Sequence, residues 1–182
     1  LDTVRSNFGV AMKELLSNVL DDILANVPKE KIDERVSLFK RNMHLLSYEV
    51  MANPIGVKGI GKYISKDSET SFAKYKKGAP VHVKAAINYN SLIDHWYEGK
   101  KYEKISNGTK IKWVYLKENT FGFDAIAFKG HEDPREILEL IKNHIDHKKM
   151  YEQAMSKKLG MFYKAMHWGG VEDKTTSMNR FF

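Results

Sequence analysis

Between Asn53 and Pro80 the chain loses all apolar periodicity: Gly56, Gly59, Gly61 and Gly78 interrupt it and lysines fill the gaps, leaving no face to bury. Such a stretch reads as an extended basic loop over 53–80, and it separates two patterns. Ahead of it, Phe8, Met12, Leu15, Val19 and Ile23 recur at helical spacing, as do Ile32, Val36, Phe39, Met43 and Leu46. Two amphipathic helices, 6–26 and 29–47, follow, and Pro28 between them suits the link or the first turn of the second, so the pair forms a helical hairpin. Behind the loop, Val81, Val83, Ala85, Ile87 and Tyr89 alternate with His82, Lys84, Ala86 and Asn88, the pattern of a half-buried strand. A second strand over Lys110–Leu116 follows the turn signal Asn107-Gly108, and a third covers Asp124–Phe128, giving a small antiparallel sheet within 81–128. Asp133-Pro134-Arg135-Glu136 combines a capping aspartate, a proline at the first helical position and a glutamate three residues after the cap, which starts a helix over 134–145. Asp146 opens another over 147–167, and Gly169-Gly170 stops it. The expected class is α+β, with a helical hairpin, a small antiparallel sheet and C-terminal helices in one domain over 1–170, followed by a polar tail over 171–182.

Burial must hold this fold together, because 182 residues with 42% hydrophobic content include no cysteine, so neither disulfides nor thiolate metal sites are available. The same absence fits a reducing cytoplasm. No apolar run approaches the roughly 18 to 20 residues of a membrane helix, and the N-terminus has no basic-then-apolar layout. The first residue is Leu1, which is compatible with a piece of a longer protein. Net charge is +7, a modest excess, but its distribution is uneven. Lys58, Lys62, Lys66, Lys74, Lys76, Lys77 and Lys84 face only Asp67 and Glu69 between positions 58 and 84. A solvated loop and a surface for an acidic partner both fit that stretch.

Motifs with chemistry are scarce. Gly56–Lys62, reading G-V-K-G-I-G-K, has the spacing of a phosphate-binding loop, but Tyr63 stands where a Ser or Thr hydroxyl must hold magnesium, and no apolar parallel strand precedes it. What remains is that glycines let the main chain approach a phosphate closely while Lys58 and Lys62 neutralise it. His131, His144 and His147 lie near Glu132, Asp133 and Asp146 without the spacing of any familiar ligand set. Asp21-Asp22 is a carboxylate pair, but adjacent helix positions do not face each other. The tail T-T-S-M-N-R-F-F, from Thr175 to Phe182, places Met178 three residues ahead of two terminal aromatics, the pattern of a clamp-binding peptide with Thr175 where glutamine is usual; packing of the phenylalanines on the domain itself is the other reading.

Taken in order, these segments resemble the thumb of the family B DNA polymerases of T-even-like phages over nearly the whole chain. V-R-S-N at Val4–Asn7 is similar to the segment that opens the first thumb helix, and A-N-P-I-G-V-K-G-I-G-K-Y at Ala52–Tyr63 to the loop before the duplex-contacting strand. P-V-H-V-K-A-A-I-N-Y-N at Pro80–Asn90 is similar to that strand and N-G-T-K-I-K-W-V-Y-L to the next. The resemblance implies a non-catalytic polymerase part that grips primer-template duplex. Lys58, Gly59, Gly61, Lys62, Tyr63, His82, Lys84 and Asn88 would lie on the sugar-phosphate backbone or minor groove, where contacts position without reading sequence. Met178, Phe181 and Phe182 would bind a sliding clamp. Partners would be the rest of the polymerase (palm, fingers, exonuclease), in the cytoplasm of an infected bacterium. The palm aspartates that hold two metals are not in the chain: the family's D-x-x-S-L-Y-P-S and Y-G-D-T-D-S motifs and its K-x3-N-S-x-Y-G helix are absent. No catalytic residue, metal ligand or cofactor is therefore expected here, with Mg2+ belonging to the absent palm, whether the chain is a trimmed thumb or one part of a split enzyme.

The competing class is an autonomous basic module for RNA or single strands, with Trp96, Trp113 or Tyr115 as stacking platforms. A small nuclease would instead require metal-dependent cleavage by the isolated chain.

Overall fold

The computed structural model describes residues 7–65, 72, 74–98 and 100–169. It is an α+β protein whose chain divides into two compact units, one drawn from Leu1–Met51 and His147–Phe182, the other from Ala52–Asp146. A single domain over 1–170 is what the linear pattern suggests; the first unit is instead closed by a helix that returns after the second is complete, a relationship that no local periodicity records.

The first unit is helical. Helix α1 (Val10–Leu24) and helix α2 (Lys29–Asn42) form the expected hairpin, and a single 3-10 turn at Met43–Leu45 and the short α3 (Tyr48–Met51) follow. Asn26 turns the chain between α1 and α2 at a φ of 57°, and Val27 N–H donates to Asp22 O at 2.9 Å. The Arg35 guanidinium grips the Asp22 carboxylate at 2.6 and 3.2 Å, bridging the two helices. Helix α7 (His147–Ala165) packs along α1. Met12, Leu16, Val19, Ile32, Val36, Met150, Met155 and Leu159 are almost fully removed from water and form the core, at roughly 1.5 to 3 kcal/mol per buried side chain. Asp33 is fully buried in that core. Its carboxylate accepts the Tyr163 hydroxyl at 2.6 Å and the Lys29 ammonium at 2.7 Å. Burial and the facing Asp33 raise the Tyr163 phenol well above its ordinary range, so it stays a donor.

The second unit is built on an antiparallel sheet in the order β1 (Asn53–Gly56), β4 (Lys110–Tyr115), β5 (Ala125–Phe128). Gly56 lies opposite Lys110 and Asn53 opposite Trp113, while Val114 faces Ile126. A separate two-stranded ribbon pairs β2 (Ile64–Ser65) with β3 (Lys74–Tyr75) just after the single-turn α4 (Ile60–Tyr63). Helix α5 (Val81–Tyr97) packs against β5, every residue of which is buried, and α6 (Arg135–His144) also meets that strand.

Three expectations fail in this unit. Residues 81–89 are the start of helix α5 and not a strand of the sheet. Alternation misleads there because α5 is enclosed almost all round: Val83, Ala85, Ala86, Ile87, Asn88, Tyr89, Leu92 and Ile93 are all buried, which erases the polar face that would mark a helical period. Its seventeen residues exceed the usual strand length, and the alanines favour helix. The stretch 53–80 is also not wholly loop, since Asn53–Gly56 supplies the edge strand β1. Pro54 hides it from a propensity reading, yet a proline is tolerated at a sheet edge, where its missing N–H is not required. Further on, Asp133 does not cap α6. Its carboxylate accepts Lys129 N–H at 2.9 Å, Gly130 N–H at 2.8 Å and the Tyr89 hydroxyl at 2.9 Å, knitting the turn that enters the helix to α5. Among the described residues, no helix is long and apolar enough to cross a membrane.

Candidate nucleic-acid interface

Three segments of the second unit meet at one end of the sheet. The first is the turn after β1, which carries Lys58 and passes through Gly59 into α4 with Lys62 and Tyr63. Gly59 has a φ of 91°, a left-handed conformation open to glycine, and a Cβ there would also press on the Tyr63 ring at 3.4 Å. The second is the ribbon, closed by the β2–β3 pairing and by Lys76 N–H donating to Tyr63 O at 2.7 Å, which brings Lys76 and Lys77 beside α4. The third is the first turn of α5, with His82 and Lys84, in contact with α4. Lys58, Lys62, Lys76 and Lys77 are exposed, and Lys84 is half-buried.

Aromatic rings carry two of these cations. The Lys62 ammonium lies 5.1 Å from the centroid of Tyr63 and the Lys84 ammonium 5.7 Å from that of Tyr75, contacts that hold a long side chain near one orientation. Burial pushes the Tyr75 phenol up to about 12, and its hydroxyl donates to Asn88 Oδ1. Exposed Lys110, in register opposite Gly56, adds a cation beside the Lys58 turn. Pattern reading passed over Lys110 because, alone, it is only the polar residue at the start of a strand; pairing with β1 is what brings it to this end.

Of the expected contact residues, Lys58, Gly59, Gly61, Lys62, Tyr63, His82 and Lys84 are gathered here with some exposure, while Asn88 is not a surface residue. It is 1% exposed, donates from Nδ2 to Ala125 O at 2.8 Å and accepts from Tyr75. On a strand, Asn88 would share the polar face of His82 and Lys84; the helix turns it inward to join α5 to β5. Asn88→Ala is therefore expected to destabilise the protein by about 2 kcal/mol, since it strands a buried carbonyl and a hydroxyl, and urea denaturation checks the loss.

Burial lowers the His82 pKa below the usual 6.5, so the folded state resists its protonation. The associated stability is fully present above about 6.5, the unfolded value, and is lost as pH falls towards the folded pKa. An NMR titration should place the His82 ring below the midpoint of an unfolded control.

The other candidate groups are dispersed into structural roles. Trp113 is 8% exposed and meets Tyr115 edge to face at 4.9 Å. Trp96 packs against Phe121 at 5.7 Å. His144 Nδ1 lies 3.0 Å from Leu140 O, and His147 Nε2 lies 2.9 Å from Leu46 O. Among the described residues, no group of three or more histidines and acidic residues is arranged to hold a metal. Met178, Phe181 and Phe182 lie outside the described residues. No protein-family model matches the sequence, and a search of curated proteins finds no match.

Proposed function

We propose that this chain is a non-catalytic, thumb-like part of a DNA-directed DNA polymerase that grips primer-template duplex through its sugar-phosphate backbone. The observation that carries the reading is the convergence of Lys58, Lys62, Lys76, Lys77, Lys84 and Lys110 from separate segments onto one end of the second unit. Cations spaced along a surface and steadied on tyrosine rings suit a row of phosphates, and such contacts fix a protein on a duplex without reading its sequence. Further support comes from the order of motifs shared with phage family B thumbs. In the same reading, the tail bearing Met178, Phe181 and Phe182 binds a sliding clamp, and nucleotidyl transfer belongs to a palm on another part of the enzyme.

Fluorescence-anisotropy titration of a recessed primer-template, a blunt duplex and a single strand tests the proposal. Both duplexes should bind more tightly than the single strand and independently of sequence. A marked preference for the single strand would instead favour an RNA- or single-strand-binding module.

A further inference from the structure

The basic turn cannot hold its own shape. Helix α4 has only four residues, far below the length at which a helix persists unaided, and Gly59 before it has no side chain to restrain the left-handed backbone. What restrains the turn is the neighbouring turn at Ser106–Thr109, where Thr109 N–H donates to Ser106 O at 3.1 Å and Gly108 has a φ of 88°. Val57 N–H donates to Thr109 O at 3.1 Å, and Gly108 N–H to Val57 O at 2.8 Å, but both bonds lie ahead of Lys58. From Lys58 onward, among the described residues, the link to that neighbouring turn runs through the Asn107 side chain, whose Oδ1 accepts Gly59 N–H at 3.1 Å and Ile60 N–H at 3.2 Å, while Lys76 N–H holds the far end of α4 at Tyr63 O. Two converging donors require the oxygen of the carboxamide to face the turn.

We propose that Asn107 is a positioning residue for the DNA contact: by holding the N–H groups of Gly59 and Ile60, it fixes the turn from which Lys58 and Lys62 project towards phosphates. The inference rests on the duplex-binding reading above. Because Asn107 immediately precedes the turn into β4, the basic turn is referenced to the β1–β4 ladder, a rigid element, and less ordering entropy remains to be lost when DNA binds. Those two N–H groups are occupied by Asn107, so the phosphate contact falls to the lysines.

The test uses the full chain and compares Asn107→Ala with Asn107→Asp. Asn107→Ala should abolish hydrogen-exchange protection at the Gly59 and Ile60 amides and weaken duplex binding roughly three- to ten-fold, the size of effect expected from losing a cap. The slope of log affinity on log salt should not change, because no lysine has been removed. Asn107→Asp keeps an acceptor oxygen, so protection should persist, and affinity should approach wild type at elevated salt, where the added charge is screened. Wild-type affinity in Asn107→Ala, with weakened binding in Lys58→Ala and Lys62→Ala, would overturn the positioning role and leave the duplex reading intact. Wild-type affinity in the lysine variants as well would remove both.

Discussion

Asp33→Ala should destabilise the helical unit by about 3 kcal/mol. The carboxylate is fully buried and serves two donors at once. Its removal leaves the Tyr163 hydroxyl without this acceptor and takes one ionic partner from the Lys29 ammonium. Lys29 retains some solvent access, with 21% of its side chain exposed, and can turn outward, which keeps the expected cost towards the lower end for a broken buried pair. Tyr163→Phe should cost less, about 1 to 2 kcal/mol, because the carboxylate then keeps its lysine. The double variant should fall short of the sum of the two, since both substitutions break the same bond. Urea denaturation gives all three values, with the midpoint moving and the slope steady. A loss under about 1 kcal/mol for Asp33→Ala would show that water replaces the network easily and that the core does not depend on it.

Replacing Lys58, Lys62 and Lys84 together by alanine should weaken duplex binding by roughly a hundred-fold at low salt, from about 1 kcal/mol for each lost phosphate contact. The salt slope should become shallower by about 3, close to one counterion per lysine. Lys58 and Lys62 are exposed, so their loss should leave stability unchanged. Lys84 lies over the Tyr75 ring and should cost up to about 1 kcal/mol of stability when truncated. Affinity loss with an unchanged slope would mean that the substitutions act through the fold and not through charge. An unchanged affinity would remove the proposed duplex-binding role from this face.

Much of the fold was legible because amphipathic patterns report burial directly. The hairpin of α1 and α2, strands β4 and β5, and helices α6 and α7 lie within a few residues of their expected bounds. Apart from β5, which is buried throughout, each has one wet face, and in the hairpin the pattern of Ile32, Val36, Phe39 and Met43 records the opposite, inward side. Helix α5 was misread for the converse reason: packed against β5 and buried on most sides, it retains no polar stripe, and a chance alternation over nine residues filled the gap. Strand β1 was invisible because Asn-Pro-Ile-Gly has no strand propensity of its own; its place comes from pairing with β4, more than fifty residues later.

The clustering of charge was legible and its geometry was not. Lysines near a glycine-rich turn are visible in the sequence, but His82, Lys84 and Asn88 were assigned to one polar face that the helix does not have. Turning the segment into a helix keeps Lys84 at the surface and sends Asn88 into the core. Asn107 looked like nothing more than half of an Asn-Gly turn, and no local pattern singled out Asp33. Their partners lie 47 to 48 residues away for Asn107 and 130 for the bond from Tyr163 to Asp33, separations at which a local pattern carries no information.

The salt dependence of binding to a recessed primer-template, repeated on two duplexes of unrelated sequence, tests the central claim most directly. With about six phosphates contacted, log affinity should fall with log salt at a slope of roughly −5 and by the same amount on both duplexes. A slope near zero, or affinity that depends on the sequence offered, would contradict a grip made through the phosphate backbone.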